Sequence, residues 1–308
     1  MSAKAKEPGP VMVAGQDLPV PPVAIPECNV RECFANVDGA RMRYLRAGTG
    51  PPLVLLHGLL GYSFSWRFTI PALTPHFTVF APDMLGVGFS DRPSNLDCSL
   101  RANAERILRF LDIVDISSFD MLGTSHGGAV AIKVAASVAK SRLKRLVLVA
   151  PVNPWSAHGR HLAPFLGSTI GSALFRGTVA RTPSTWDFWL RRLYGDPRRI
   201  TPGTLEGYAA PYKIPGTFQY GLGVVRHWTR DLQEIEFLLP KIANTPTLLI
   251  WGSRDRAVNP GSADKLRAKL HHCESVVLDG AGHLPYEESP DEFNAVLLRF
   301  LLAQHNER

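Results

Sequence analysis

"FDMLGTSHGGAV", residues 119–130, runs from a short apolar segment into a cluster of glycines, with a serine and a histidine at its centre. Phe119 to Leu122 reads as a buried strand. The small-residue run that begins at Gly127, "GGAVAIKVAASVAKS", reads as a helix able to pack closely on a sheet. Between them, Gly123-Thr124-Ser125-His126-Gly127 fits the pattern G-x-S-x-G. A serine at that point sits in a sharp turn from strand to helix, its hydroxyl lifted above the sheet edge. The flanking glycines relieve the crowding such a turn causes. The helix N-terminus aims free N–H groups and a partial positive charge at the same place. Alone the pattern is weak; the strand before it and the helix after it give it meaning.

Outward from this turn, strand-like and helix-like segments alternate from residue 30. "RECFANV" and "RMRYLRA" flank Asp38-Gly39, a turn pair, and read as a hairpin. "PPLVLLHG", "FTVFAPD", "LKRLVLVAP", "TPTLLIWG" and "CESVVLDG" read as further strands. Residues 99–114 place Leu100, Ala104, Ile107, Leu108 and Leu111 at helical spacing. "GSADKLRAKL" and "PDEFNAVLLRFLLAQ" read as helices. Apolar strands alternating with helices predict an α/β fold: a mostly parallel sheet covered on both faces. The alternation breaks at 153–240, a stretch without clear strands but rich in tryptophan and tyrosine. It reads as a helical insertion at the carboxyl edge of the sheet, where such sheets bind ligands, and so as a lid. The chain therefore divides into a proline-rich extended arm (1–28), a core in two parts (29–152 and 241–308) and the insertion between them.

The chain has 308 residues, of which 45% are hydrophobic and 20% charged, enough for a sizeable core. The net charge is 34 − 27 = +7. Part of it is local, since residues 176–199 hold six arginines against Asp187 and Asp196. No nucleic-acid motif accompanies them, so the stretch reads as a solvated helical surface, and no nucleic-acid partner is expected. Cys28, Cys33, Cys98 and Cys273 have no metal spacing and read as reduced thiols of a cytoplasmic protein. The N-terminal segment lacks the apolar run of a secretory signal, and no stretch approaches the ~18 apolar residues of a membrane span. His158 and His161 lie at i, i+3 with a glycine between and no acid nearby in sequence, so no metal site is expected.

Five elements in order give the sequence a resemblance to the α/β-hydrolase family, specifically its lid-bearing serine hydrolases. They are "HGLLG" (57–61), "PDMLGVGFSDRP" (82–93), "GTSHGG" (123–128), "WGSRDRAVNP" (251–260) and "GAGHLPYEESP" (280–290). The resemblance covers residues ~30–308 and implies an eight-stranded sheet. It also implies a triad in the chain order Ser125, Asp255, His283. Serine's hydroxyl is a poor nucleophile at neutral pH and needs a base. His283 would take its proton and later return one to the leaving group. Asp255 would hold the other ring nitrogen and stabilise the imidazolium. Asp279 is a rival acid but suits a turn. A second acid site of the family, after the sixth strand, reads Pro151-Val152-Asn153 here, without a carboxylate. The resemblance assigns the oxyanion hole to the backbone N–H groups of Leu59 and His126. It leaves His57 to hold its loop through its ring nitrogens. Leu60, Trp66, Trp155, Phe165, Trp186 and Trp189 are the candidate pocket residues.

Haloalkane dehalogenases and epoxide hydrolases of this family resemble the chain around "DMLGVGFSDRP". Their nucleophile is an aspartate, where this chain has Ser125. A carboxylesterase acting on a small to medium apolar substrate without a cofactor is therefore the first expectation. Carbon–carbon bond hydrolysis of ring-fission products, lactone cleavage and acyl transfer are its neighbours. A small-ligand receptor of the same fold is the non-enzyme alternative, which turnover would distinguish.

Overall fold

The computed structural model describes residues 28–156, 163–178 and 182–303. All but the last residue of the predicted arm (1–28), and the His158/His161 pair, lie outside these residues. The described residues begin with an antiparallel hairpin, β1 (Arg31–Val37) and β2 (Ala40–Ala47). Asp38 and Gly39 both adopt positive φ, 55° and 80°. That twist matches the strands it joins, and Asp-Gly tolerates it best.

Six more strands complete the sheet: β3 (Pro52–Leu56), β4 (Thr78–Pro82), β5 (Phe119–Thr124), β6 (Leu143–Val149), β7 (Thr247–Gly252) and β8 (Cys273–Leu278). Their order is β1-β2-β4-β3-β5-β6-β7-β8. β2 pairs antiparallel with β4, and all later pairings are parallel. β5 and β7 are buried at every residue, which is why they read as unbroken apolar runs rather than alternating ones.

Helices cover both faces. On one side α2 (Leu100–Ile113) and α3 (Ser125–Ala135) join a core with Leu56, Met121, Leu146 and Trp251. α2 starts at Ser99, whose hydroxyl accepts from Ala102 N at 3.2 Å, and buries Leu100, Ala104, Ile107, Phe110 and Leu111. Each such large side chain contributes about 1.5–3 kcal/mol by leaving water. On the other side, α1 (Ile70–Leu73) and the C-terminal helix 290–302 bury Ile70, Leu73, Phe293, Leu297 and Phe300 against Leu53, Leu122 and Val147.

Between β6 and β7 the described residues contain helices and no strand. They are α4 (Ala163–Gly167), α5 (Thr169–Gly177), α6 (Pro183–Leu193), α7 (Thr204–Ala209) and α8 (Thr217–Ile242). The sequence reading ends this segment at Pro240, but α8 continues through it to Ile242. Proline removes one backbone donor, and within the last turn that loss disturbs little of the helix. After β7 come α9 (Ser262–Arg267), α10 (Pro285–Glu288) and α11 (Pro290–Leu302). The four cysteines form no disulfide. Among the described residues no helix is long and apolar enough to cross a membrane.

Candidate active site

β5, β7 and β8 run parallel, so their carboxyl ends share one edge of the sheet. Ser125 follows β5, Asp255 follows β7 and His283 follows β8. Ser125 has φ +53°, a left-handed conformation that costs a non-glycine residue about 1–3 kcal/mol. From Phe119 to Ile132 every residue is buried except Ser125, which is partly exposed. The turn thus lifts one side chain out of an otherwise closed strand–helix unit. Gly127 makes it possible: a Cβ there would lie 2.3 Å from the His57 carbonyl oxygen. The helix begins at Ser125, two residues earlier than the glycine run suggests.

His283 and Asp255 are brought together. The ring Nδ1 lies 2.8 Å from Asp255 Oδ2, and both residues are buried. The second carboxylate oxygen, Oδ1, accepts from Ala257 N (2.7 Å) and Val258 N (2.9 Å). With Nδ1–H donating to the acid, Nε2 is left as the acceptor. Among the described residues no hydrogen bond joins Ser125 Oγ to that ring. Such contacts commonly tighten only with substrate bound. Asp279 instead accepts from Ser253 Oγ at 3.0 Å in an exposed turn. Asn153, at the other acid position, is buried and donates its amide to Pro151 O and Ser262 Oγ, both 3.0 Å.

"HGLLG" lies across from the turn, with Gly58 so placed that a Cβ would be 3.2 Å from Ser125 Cβ. The loop is pinned by His57. Met84 N donates to His57 Nε2 at 3.0 Å, so Nδ1 carries the proton and donates to Gly58 O at 2.8 Å. Burial lowers the His57 pKa, which keeps the ring neutral in this role. Leu59 is half-buried and Leu60 has φ +58°. His126 N belongs to the first turn of α3, where backbone donors have no partner within the helix. The following loop, 82–93, is organised by buried Asp83. It accepts from Ser63 N (2.8 Å), Phe89 N (2.9 Å) and Arg43 Nη1 (3.0 Å).

Two acids that sequence reasoning missed tie the helical segment to the His283 loop. Glu287 pairs with Arg67 through two bonds of 2.9 Å and accepts from Tyr194 at 2.5 Å and from Tyr208. Glu288 accepts from Gly282 N (2.6 Å), Gly195 N (2.9 Å) and Asp196 N (3.1 Å). His283 N in turn donates to Leu193 O at 2.7 Å. The two backbones touch, since a Cβ on Gly282 would lie 2.4 Å from Gly195 N. A signal existed in "PYEESP", two acids in an otherwise apolar loop, but only the fold supplies their partners.

The candidate pocket residues scatter. Trp66 is 0% exposed and packs on Tyr286, with ring centres 4.8 Å apart, in the core beneath the His283 loop. Phe165 and Trp189 are half-exposed, at 49% and 50%. Trp186 packs edge-on against Tyr212, with ring centres 5.3 Å apart. Trp155 and Leu60 are partly buried against the core on the α3 side. In the basic stretch, Arg191 pairs with Asp187 and Arg198 with Asp196, both at 2.7 Å.

A family model described as alpha/beta hydrolase fold matches residues 51–290. Haloalkane dehalogenase 2 of Mycobacterium tuberculosis is 29% identical over 271 residues, spanning 84% of this chain and 90% of that protein. Epoxide hydrolase 3 of Mus musculus is 28% identical over 281 residues, spanning 86% and 74%. Among solved structures, the meta-cleavage product hydrolase of Pseudomonas fluorescens IP01 superposes with a TM-score of 0.71 at 26% identity. That match covers 88% of this chain and 97% of the other. With more than three quarters of its length inside the family model, and the sheet order and loop positions described above, the chain belongs to the alpha/beta hydrolase fold family.

Proposed function

We propose that this hydrolase is a serine esterase that cleaves a carboxylic ester of a small to medium apolar substrate through an acyl-enzyme on Ser125. The observation that carries the reading is the partly exposed, left-handed Ser125 at the same sheet edge as the His283–Asp255 pair. Relatives include a haloalkane dehalogenase and an epoxide hydrolase, but the elbow residue here is serine, which favours acyl chemistry over theirs.

In the first half-reaction Ser125 Oγ attacks the ester carbonyl carbon as its proton passes to His283 Nε2. Asp255 accepts from Nδ1–H and stabilises the imidazolium that forms. The carbonyl oxygen becomes an oxyanion between the N–H groups of Leu59 and His126. One such donor contributes about 3–4 kcal/mol to lowering the barrier. The tetrahedral species collapses, the C–O bond to the alcohol breaks, and His283 returns its proton to the departing oxygen. In the second half-reaction water, deprotonated by His283, attacks the acyl-enzyme. The acid leaves and Ser125 regains its proton. Helices α4–α8 act as the lid over this edge.

The reading is tested with p-nitrophenyl acetate and butyrate. Parent protein should turn both over, while folded Ser125→Ala should lose the activity. Residual activity within about tenfold of the parent contradicts the assignment, because losing a serine nucleophile costs orders of magnitude more. A meta-cleavage substrate assayed alongside tests the carbon–carbon alternative that the Pseudomonas structure raises.

A further inference from the structure

Behind the serine turn a small cavity lies between α3, α8 and the start of α2. His126, Trp228 and Asp231 supply its polar lining, and its apolar walls include Leu100, Val152 and Leu232. The space open to the centre of a water molecule is about 10 Å³, room for roughly one oxygen-sized group. His126 is 3% exposed, and neither of its ring nitrogens has a hydrogen-bond partner among the described residues. The indole Nε1 of Trp228 is likewise buried and unpartnered. Each buried polar group left unpaired costs about 1–3 kcal/mol, and folded proteins keep few of them. Three such nitrogens on two residues lining one cavity mark a place built to receive a hydrogen-bonding group.

The cavity adjoins the reacting serine. His126 follows Ser125 in the chain, and Val152 N donates to Ser125 O at 3.0 Å. α8, which carries Trp228 and Asp231, also presses on the "HGLLG" loop. A Cβ on Gly221 would lie 2.9 Å from Leu60 Cδ2.

We propose that the cavity is a substrate subsite for one neutral oxygen, a hydroxyl or carbonyl on the acyl chain, held between the His126 imidazole and the Trp228 indole. The proposal rests on the serine-esterase reading for where substrate lies, and it names the substrate class as oxygenated acyl esters. A hydroxyl donates to the imidazole and accepts from the indole N–H; a carbonyl accepts from both rings. Burial, then the neighbouring His57, lowers the His126 pKa to about 4, so the ring stays neutral with one donor and one acceptor. A carboxylate is disfavoured, since Asp231 faces the cavity and no lysine or arginine lines it. A plain alkyl chain leaves the nitrogens unpaired. Water shares the oxygen chemistry, and the experiment separates the two occupants.

The test compares kcat/KM for methyl hexanoate with that for the methyl esters of 3-, 4-, 5- and 6-hydroxyhexanoic and 3-oxohexanoic acids, followed by acid release. At least one oxygenated ester should exceed methyl hexanoate by about tenfold or more, the worth of a hydrogen bond to a buried group. Trp228→Phe, which deletes only the N–H, should cut that ratio several-fold. Ratios near one across the panel, as expected if water alone fills the cavity, overturn the proposal. So does an unchanged ratio in folded Trp228→Phe; should that variant not fold, the parent's panel decides. Ligand-induced thermal shifts of Ser125→Ala with the same esters separate the two claims. Tighter binding of an oxygenated ester without parent turnover sinks the esterase reading and keeps the subsite. Turnover without oxygen preference does the reverse.

Discussion

Glu288→Ala should damage catalysis by moving His283 without touching it. The Glu288 carboxylate accepts from Gly282 N, Gly195 N and Asp196 N, so it staples the residue before His283 to the helical segment. Gly282 N–H is buried, and leaving it unpaired costs about 1–3 kcal/mol. Gly195 and Asp196 are half-buried, so water replaces much of what they lose. Burial also raises the Glu288 pKa, and removing the carboxyl returns part of that desolvation cost. The net loss is about 2–3 kcal/mol, a Tm drop of roughly 5 °C for a chain of this size. A displacement of about 1 Å at a catalytic group costs on the order of 100-fold in rate. kcat on p-nitrophenyl butyrate should therefore fall tens-fold or more while KM changes little. Glu288→Gln keeps one acceptor oxygen and should fall between the two. A variant with the lowered Tm but kcat within about threefold of the parent would refute the reasoning, because the position of His283 would then not depend on this staple.

Arg67→Met should cost more stability than Glu288→Ala, about 3–5 kcal/mol, because it strands the fully buried Glu287 carboxylate; chemical denaturation measures it, and a loss under ~1 kcal/mol contradicts the account. Ser125→Gly should be more stable than Ser125→Ala by about 1 kcal/mol, since both lack the hydroxyl and only glycine relaxes at φ +53°. Equal midpoints would mean that the turn stores no strain. Asp231→Asn tests the buried acid of α8, whose pKa desolvation raises to about 6. With the folded value above the unfolded value of ~3.9, the parent loses stability from this group as pH rises from about 4 to 6. The Tm difference, variant minus parent, should therefore grow between pH 4 and pH 7 and level off above it. A difference independent of pH would place the titration elsewhere.

Much of this molecule was legible in its residues. Parallel strands buried on both faces read as apolar runs, so β3 to β7 stand out, and Asp38-Gly39 marks the hairpin. Ser125 is visible because its turn needs small neighbours, and Gly123 and Gly127 supply them. Asp255 and His283 follow strands that end in recognisable loops, which is why 28 residues of separation did not hide a pair 2.8 Å apart. The pocket residues were not legible. A tryptophan's identity gives its size but not its direction, and Trp66 turns into the core while Trp189 stands half in water. Glu287 and Glu288 escaped notice because, Gly282 aside, their partners lie about 80 to 220 residues away in the chain. His126 read as a backbone donor only; its unpartnered ring becomes meaningful once α8 closes over it.

The central claim is that Ser125 carries the acyl group. Rapid acid quench of the protein turning over p-nitrophenyl butyrate, followed by intact and peptide mass spectrometry, reads this directly. The account predicts one butyryl group per chain, confined to the peptide containing Ser125 and missing from Ser125→Ala. An acyl group mapped to another residue, or turnover by Ser125→Ala at a rate close to the parent's, would contradict it.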